Sequence, residues 1–324
     1  LIAMLVGHLE PQRAFLDAWA GGRLHHAWLL TGPQGIGKGT FAQAAAAHVL
    51  AAAAGPAEGV APDRLDVSPG HRIAKLLAAG SHPDFRRLAR LEDEKTGKLK
   101  AEIVVDQVRE LQPLLHTQPS FSPWRVVIVD AAEEMRREAA NAFLKSLEEP
   151  PANTLFLLVS HAPGRLLPTI RSRCRILRFQ PLAEEEVRAV LERTLPDADE
   201  IAPLVALAEG RPGRALRFAG LDIDGLTRAL AGLTQGARPQ RNAQALDLAK
   251  SLAAKAAQPR YEAFLELVPT FLAQSARERE GGSRARTLAL WEQAHALAAQ
   301  ALPLSLDPQS VAYELANLVA ANSD

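Results

Sequence analysis

The residues best placed to do chemistry stand in one short run, Gly32-Pro33-Gln34-Gly35-Ile36-Gly37-Lys38-Gly39-Thr40. Glycines at this spacing let successive backbone N–H groups turn toward phosphate oxygens, and a helix starting just after them adds its positive end. Gly32, Gly35, Gly37 and Gly39 supply that backbone, and Lys38 would reach the outer phosphates of a nucleotide. The apolar run Ala27 to Thr31 comes before and a helix-forming stretch comes after, the strand–loop–helix setting such a loop needs. One part is missing. A hydroxyl directly after the lysine would hold Mg²⁺. Gly39 stands there instead, and Thr40 comes one residue late, about 100° further round a helix. Magnesium is therefore expected to bind weakly or not at all.

A second group lies at the end of Val126-Val127-Ile128-Val129-Asp130. A carboxylate at the end of a buried strand can hold the water shell of a magnesium ion. A hydrolysing site would place a glutamate next, to orient the attacking water. Here Ala131 and Ala132 follow, and Glu133 and Glu134 come three and four residues past Asp130, where a helix is expected. Loss of such acid–base help removes about 10²–10⁴-fold in rate. The two departures agree: a phosphate pocket is present and the groups that would cleave its ligand are not.

The elements that must position these residues can be read from apolar runs and their breaks. A helix is expected over 8–22 around Phe15, Leu16 and Trp19, strands at 27–31, 126–129, 155–160 and 176–179, and helices at 40–54, 71–79, 103–115, 133–148 and 166–171. Asp106 is the expected N-cap of the fourth of these helices. Glu149-Pro150-Pro151 stops the helix that ends at Glu148. The charged stretch 91–101 reads as a solvated hairpin or insertion. Strands alternating with helices argue for a doubly wound parallel sheet. After Pro181 the strand signals stop. Residues 183–194, 202–209 and 213–220 read as short helices, and everything from Asp222 onward reads as helical. Phe264, Val268, Phe271 and Leu272 share one helical face, and Leu288, Trp291, His295 and Ala298 share another. Asp307-Pro308 opens a last helix with Val311, Leu315 and Leu318 inward. The expected division is a nucleotide-binding domain at 1–182, a small helical domain at 183–221 and an all-helical domain at 222–324.

Composition narrows the function classes. Lys plus Arg and Asp plus Glu both number 37 in 324 residues, so no overall basic excess marks a protein that grips nucleic acid alone. The one cysteine, Cys174, excludes an internal disulfide and a cysteine-based zinc site, and it fits a reducing cytoplasm. No apolar run nears the length of a bilayer span, so no membrane association is expected. Leu1 to Val6 is apolar but has no basic segment before it, so a signal peptide is not expected.

Three further segments carry a resemblance. Ile103-Val104-Val105-Asp106-Gln107-Val108-Arg109, Asn141-Ala142-Phe143-Leu144-Lys145-Ser146-Leu147-Glu148-Glu149-Pro150-Pro151 and Ser172-Arg173-Cys174, in this order, resemble the clamp-loader branch of the AAA+ proteins. The likeness covers residues 6–220, and the helical C-terminus is compatible with that family's collar domain. It implies an α/β P-loop NTPase domain of AAA+ type, then a small helical lid, then an all-α collar. It implies membership of a five-subunit ring with tau/gamma motor subunits and a delta subunit. That ring would load a sliding clamp onto primed DNA for a DNA polymerase III holoenzyme, with no polymerase chemistry in this chain and phosphate contacts of no sequence preference.

Within the resemblance, Arg173 matches the arginine that one subunit lends to its neighbour's ATP, a role suited to a planar, permanently charged group. On residue type alone Arg173 reads as a surface ion-pair arginine, since Arg165, Arg171, Arg173 and Arg175 crowd this stretch, and the motif context reverses that reading. Ser160, at the end of its strand, matches a polar sensor of the outer phosphate or is simply a strand-end cap. Gly213 takes the place of the motor subunits' sensing arginine, with Arg214 beside it. Many relatives hold zinc with four cysteines before the His-Pro-Asp segment. Here only His71 and His82 stand in that region, so no zinc and no other bound metal are expected. ATP, ADP or an empty loop are the alternatives for residues 32–40. Three readings follow: a non-hydrolysing stator of a clamp loader, an active motor ATPase of the same architecture, and a small-molecule P-loop kinase. Gly39 and Ala131 weigh against the motor, and the long helical tail against the kinase.

Overall fold

Three unbroken apolar runs make the centre of a parallel sheet: β1 (Ala27–Thr31), β3 (Arg125–Val129) and β4 (Thr154–Ser160) are buried at every residue. In this computed structural model, which describes residues 5–56, 58–93, 97, 99–195 and 201–323, two shorter strands flank them. They are β2 (Phe85–Leu88) and β5 (Arg175–Arg178), and the order across the sheet is β2-β3-β4-β1-β5. All four pairings are parallel, with Leu29 opposite Leu158 and Ile176, and Val127 opposite Arg86 and Phe156.

Successive side chains of a strand point to opposite faces, so each central strand feeds two cores. Trp28, Leu30, Val126, Ile128, Leu155 and Leu157 face one side, where α1 (Leu9–Ala20), α2 (Lys38–Ala54) and α3 (Arg72–Ala78) lie. Ala27, Leu29, Val127, Val129, Phe156 and Leu158 face the other, against α4 (Val105–Arg109), α5 (Gln112–His116), α6 (Arg137–Glu148) and α7 (Pro168–Arg171). The alanine run of α2 fits its place in the first core, where Ala42, Ala44, Ala45 and Ala46 are buried beside Phe41, Val49 and Leu50.

Several expectations change. Phe85–Leu88, to which the sequence reading assigns no element, is a strand whose middle residues Arg86 and Arg87 face solvent on the sheet's edge. The helix expected over 103–115 is two helices. Asp106 does not cap the first of them. Val104 is the N-cap, its N–H bonded to the Gln107 side chain at 3.1 Å, and Asp106 pairs with Arg109 at 2.9 Å. The helix expected from Glu133 starts at Arg137, after a 3₁₀ turn at Ala132–Glu134 entered through Ala131 in the left-handed region. The helix after the glycine loop starts at Lys38, so Gly39 and Thr40 are in its first turn. In the charged stretch, part of which lies outside the described residues along with the first four of the chain, Glu92 and Leu99 pair antiparallel as a hairpin requires.

The described chain forms two compact units, 1–187 with 210–213 and 188–209 with 214–324. Among the described residues the elements of the second are all helices. After α8 (Glu184–Thr194), which straddles the boundary, come α9 (Ile201–Ala208), α10 (Pro212–Phe218), α11 (Ile223–Leu233), α12 (Arg238–Ala253), α13 (Gln258–Arg277), α14 (Gly281–Ala301) and α15 (Pro308–Ala321). Asp307 caps α15 by accepting the Ser310 N–H at 2.9 Å, as expected. Val311 and Leu315 are buried there, but Val319 takes the place expected of Leu318, which is half-buried. Phe264, Val268 and Leu272 are buried on α13, with Phe271 at the margin. On α14 the buried residues are Thr287, Ala294 and Ala301, so the face of Leu288, Trp291 and His295 is not the one the fold covers. Trp291 stacks on His295 instead. Asn322 ties the end of α15 down, accepting from Thr287 at 2.7 Å and Arg279 at 2.8 Å and donating to Ser275 at 2.9 Å.

Candidate functional site

The glycine loop follows β1 at the C-terminal edge of the sheet, where the next helix points its N-terminus outward. Gly32 has φ +148° and a Cβ there would lie 2.6 Å from the Phe179 carbonyl oxygen. Gly35 and Gly37 also have positive φ, and Gly37 is the N-cap of α2. Replacing Gly32 by alanine is expected to cost about 2 kcal/mol or more, from the strained backbone together with the clash. Chemical denaturation of the full chain against the parent measures it.

Lys38 is 2% exposed and its Nζ donates to the carbonyls of Gly32 and Pro33, both at 2.6 Å, so the loop closes on its own lysine. Burial lowers the Lys38 pKa to about 8, against the opposing pull of Glu133 and Asp130. His8 reinforces the loop from outside: its Nε2 lies 2.6 Å from the Ile36 carbonyl oxygen and its ring meets Phe179 edge-on. The last support comes from Gly213, whose N–H donates to the Gly35 carbonyl at 2.8 Å. A Cβ at position 213 would lie 2.9 Å from the Gly35 Cα, so any side chain there would force the loop backbone to move. Arg214, in the second unit, is ion-paired with Glu209 at 2.8 Å and Glu266 at 3.0 Å.

Asp130 directly follows β3 and Ser160 ends β4. Ser160 is fully buried. Asp130 accepts from Arg87, one of the two exposed arginines of β2. Glu133 does more than lead into a helix. Its Oε1 accepts the N–H groups of His161 and Ala162 at 2.7 and 3.1 Å, tying the turn after β3 to the end of β4. Burial pushes this carboxyl up, but bonds from its own N–H and that of His161, with the Ser160 hydroxyl alongside, hold it below the usual glutamate value. Spacing gave no sign of Arg87, His8 or the reach of Glu133, because each contact joins residues at least 28 apart in the chain.

A Cβ built at Gly39 meets nothing within 4 Å, so the missing hydroxyl is absent from the chemistry and not kept out by crowding. Thr40, one step round the first turn of α2, is half-buried. Arg173 lies outside this cluster, just past α7. It pairs with Glu148 at 2.8 Å, donates to the Thr169 carbonyl at 3.0 Å, and keeps 35% of its side chain exposed. Neighbouring Cys174 has its thiol pushed up to about 12 by burial. His71 and His82 serve the backbone: each accepts, at its Nδ1, the N–H two residues on, at 3.2 and 3.1 Å.

The arrangement can hold an anion at the loop and offers an arginine on a separate exposed turn. Residues 9–183 match the family model described as DNA polymerase III, delta subunit. The chain belongs to this family. Among its relatives, the DNA polymerase III subunit delta' of Pseudomonas aeruginosa is 40% identical over 223 residues, 66% of this chain and 62% of that one. The corresponding subunit of Escherichia coli is 34% identical over 201 residues, 61% and 56% of the two chains. The subunit gamma/tau of Mycobacterium tuberculosis is 32% identical over 205 residues, 62% of this chain and 32% of that one. The matched part thus spans less than two thirds of these relatives. Membership sets aside the small-molecule kinase reading and agrees with the AAA+ architecture expected from the linked motifs. Among the described residues no helix is long and apolar enough to cross a membrane.

Proposed function

We propose that this chain is the delta-prime, or stator, subunit of a clamp loader: a member of a five-subunit ring with gamma/tau motor subunits and a delta subunit, which places a sliding clamp on primed DNA. In this reading residues 183–221 act as the lid and 222–324 as the collar that joins the ring. The phosphate loop holds ATP or ADP without turning it over. Arg173 completes the ATP site of a neighbouring motor subunit, where a guanidinium fork meets the charge spreading over the transferred phosphate.

The observation that carries the reading is the mismatch inside the phosphate site. Lys38 and the loop are formed, yet Gly39 has no hydroxyl, Ala131 stands where the hydrolytic base would be, and Asp130 is taken by Arg87. The active-motor alternative needs all three of these positions otherwise. The purified chain is expected to release no phosphate from ATP above background. Mixed with a gamma/tau and a delta subunit, it is expected to co-elute as one complex on size exclusion and to restore DNA-stimulated turnover. Brisk turnover by the chain alone, or failure to enter the complex, would refute the assignment.

A further inference from the structure

Phosphate loops of hydrolysing proteins hold Mg²⁺ with the hydroxyl after the lysine and a strand-end carboxylate, and the ion keeps several waters while bridging the phosphates. The residues of this chain do not fit such an ion. Gly39 offers no oxygen at that position, and the strand-end carboxylate is already engaged: Asp130 Oδ2 accepts from the Arg87 guanidinium. The neighbouring carboxylate is engaged in the same way, Glu134 with Arg90 at 2.7 Å.

The arginines come from one place. Arg86 and Arg87 are the middle of β2 and Arg90 follows its end. With Gln34 of the glycine loop, Asp130 and His161, they line an open pocket of about 580 Å³ beside the loop. Arg86 makes its bonds to main-chain carbonyls, those of His82, Pro83 and Phe85, so its charge is not matched by a carboxylate in those contacts. A guanidinium carries a permanent positive charge and several donors in a fixed fork, which suits phosphate oxygens as well as carboxylates.

We propose that Arg87 stands in for the divalent cation at Asp130, and that this loop binds the triphosphate of a nucleotide without metal, its charge met by Lys38 and Arg87. The exclusion of magnesium then has two layers, a missing ligand and an occupied one. This rests on residues 32–40 being a phosphate site and is independent of what Arg173 does in a neighbour.

The test uses the intact chain and a fluorescent ATP analogue, titrated in magnesium and in EDTA, with Mn²⁺ followed by electron paramagnetic resonance. The affinities in magnesium and EDTA are expected to agree within about twofold, and no Mn²⁺ is expected to bind with the nucleotide. Arg87→Ala is expected to weaken metal-free binding about tenfold, the loss of one charge-assisted bond. Arg87 is half exposed, so this variant should keep its circular dichroism spectrum. Arg87→Ala combined with Gly39→Ser is expected to gain Mn²⁺ binding that depends on nucleotide. Binding that is tenfold tighter in magnesium, Mn²⁺ held by the parent chain, no binding in EDTA, or an Arg87→Ala variant that binds like the parent would each overturn the proposal. None of these outcomes touches ring assembly or the turnover of the reconstituted complex, where the stator reading is decided.

Discussion

A complex rebuilt with Arg173→Ala is expected to assemble normally and to lose DNA-stimulated ATP turnover, by about 10³-fold at the site this residue faces, the scale of an arginine supplied in trans. Among the described residues the Arg173 side chain is committed only to Glu148 and the Thr169 carbonyl. Both members of that ion pair are more than a third exposed, and a pair of this kind contributes at most about 1 kcal/mol. Redirecting the guanidinium toward a neighbour's phosphate therefore costs little. Arg173→Lys keeps the charge but loses the fork, and should recover only a minor part of the turnover. Glu148→Ala should leave turnover largely intact. Phosphate release and size-exclusion elution, read on the same sample, separate chemistry from assembly. Unchanged turnover in Arg173→Ala would end the trans assignment.

Asp84→Ala is expected to destabilise the sheet unit by about 3 kcal/mol, since hydrogen bonds to a charged group contribute about 1.5–3 kcal/mol each and the Ser122 donor is left in a buried residue. The Asp84 side chain is 2% exposed and holds three consecutive backbone N–H groups, those of Ser120 and Phe121 at 2.8 Å and of Ser122 at 3.4 Å. Its own carbonyl accepts the Val126 N–H at 3.0 Å. One residue thus fixes the loop that leads into β3 and the register of β2 beside it, which is why the His-Pro-Asp segment matters without touching the phosphate site. The melting transition of that unit should fall by about 6–12 °C. Asp84→Asn, which keeps one acceptor oxygen, should fall by less. A melting curve that coincides with the parent's would show the carboxylate to be dispensable.

The parts of this fold that could be read in the chain are those where one local cause dominates. β1, β3 and β4 announce themselves because strands buried on both faces must be continuously apolar. β2 does not, because Arg86 and Arg87 on the sheet's rim give Phe85–Leu88 the look of a loop. The division of 103–115 into two helices did have a signal: Pro113, in the first turn of α5, cannot donate back into a preceding helix. On α14 the spacing of Leu288, Trp291 and His295 is helical, yet periodicity cannot say which of two faces is covered, and the fold chose the one with Thr287, Ala294 and Ala301. The site divides in the same way. Lys38 and its glycines are a contiguous motif. The engagement of Asp130 by Arg87, the tie from Glu133 to His161 and the seat of Gly213 on Gly35 depend on how distant segments meet.

The two outermost strands share a feature with a consequence beyond this site. β2 carries Arg86 and Arg87, and β5 carries Arg175 and Arg178, all four turned to solvent. A strand with a free edge is a template for cross-chain ladders, and bringing a second such strand alongside would press like charges together in a drying interface. Both rims of the sheet are thereby guarded against amyloid-like stacking, and neutralising the four cations should show first as turbidity in storage, before any loss of fold.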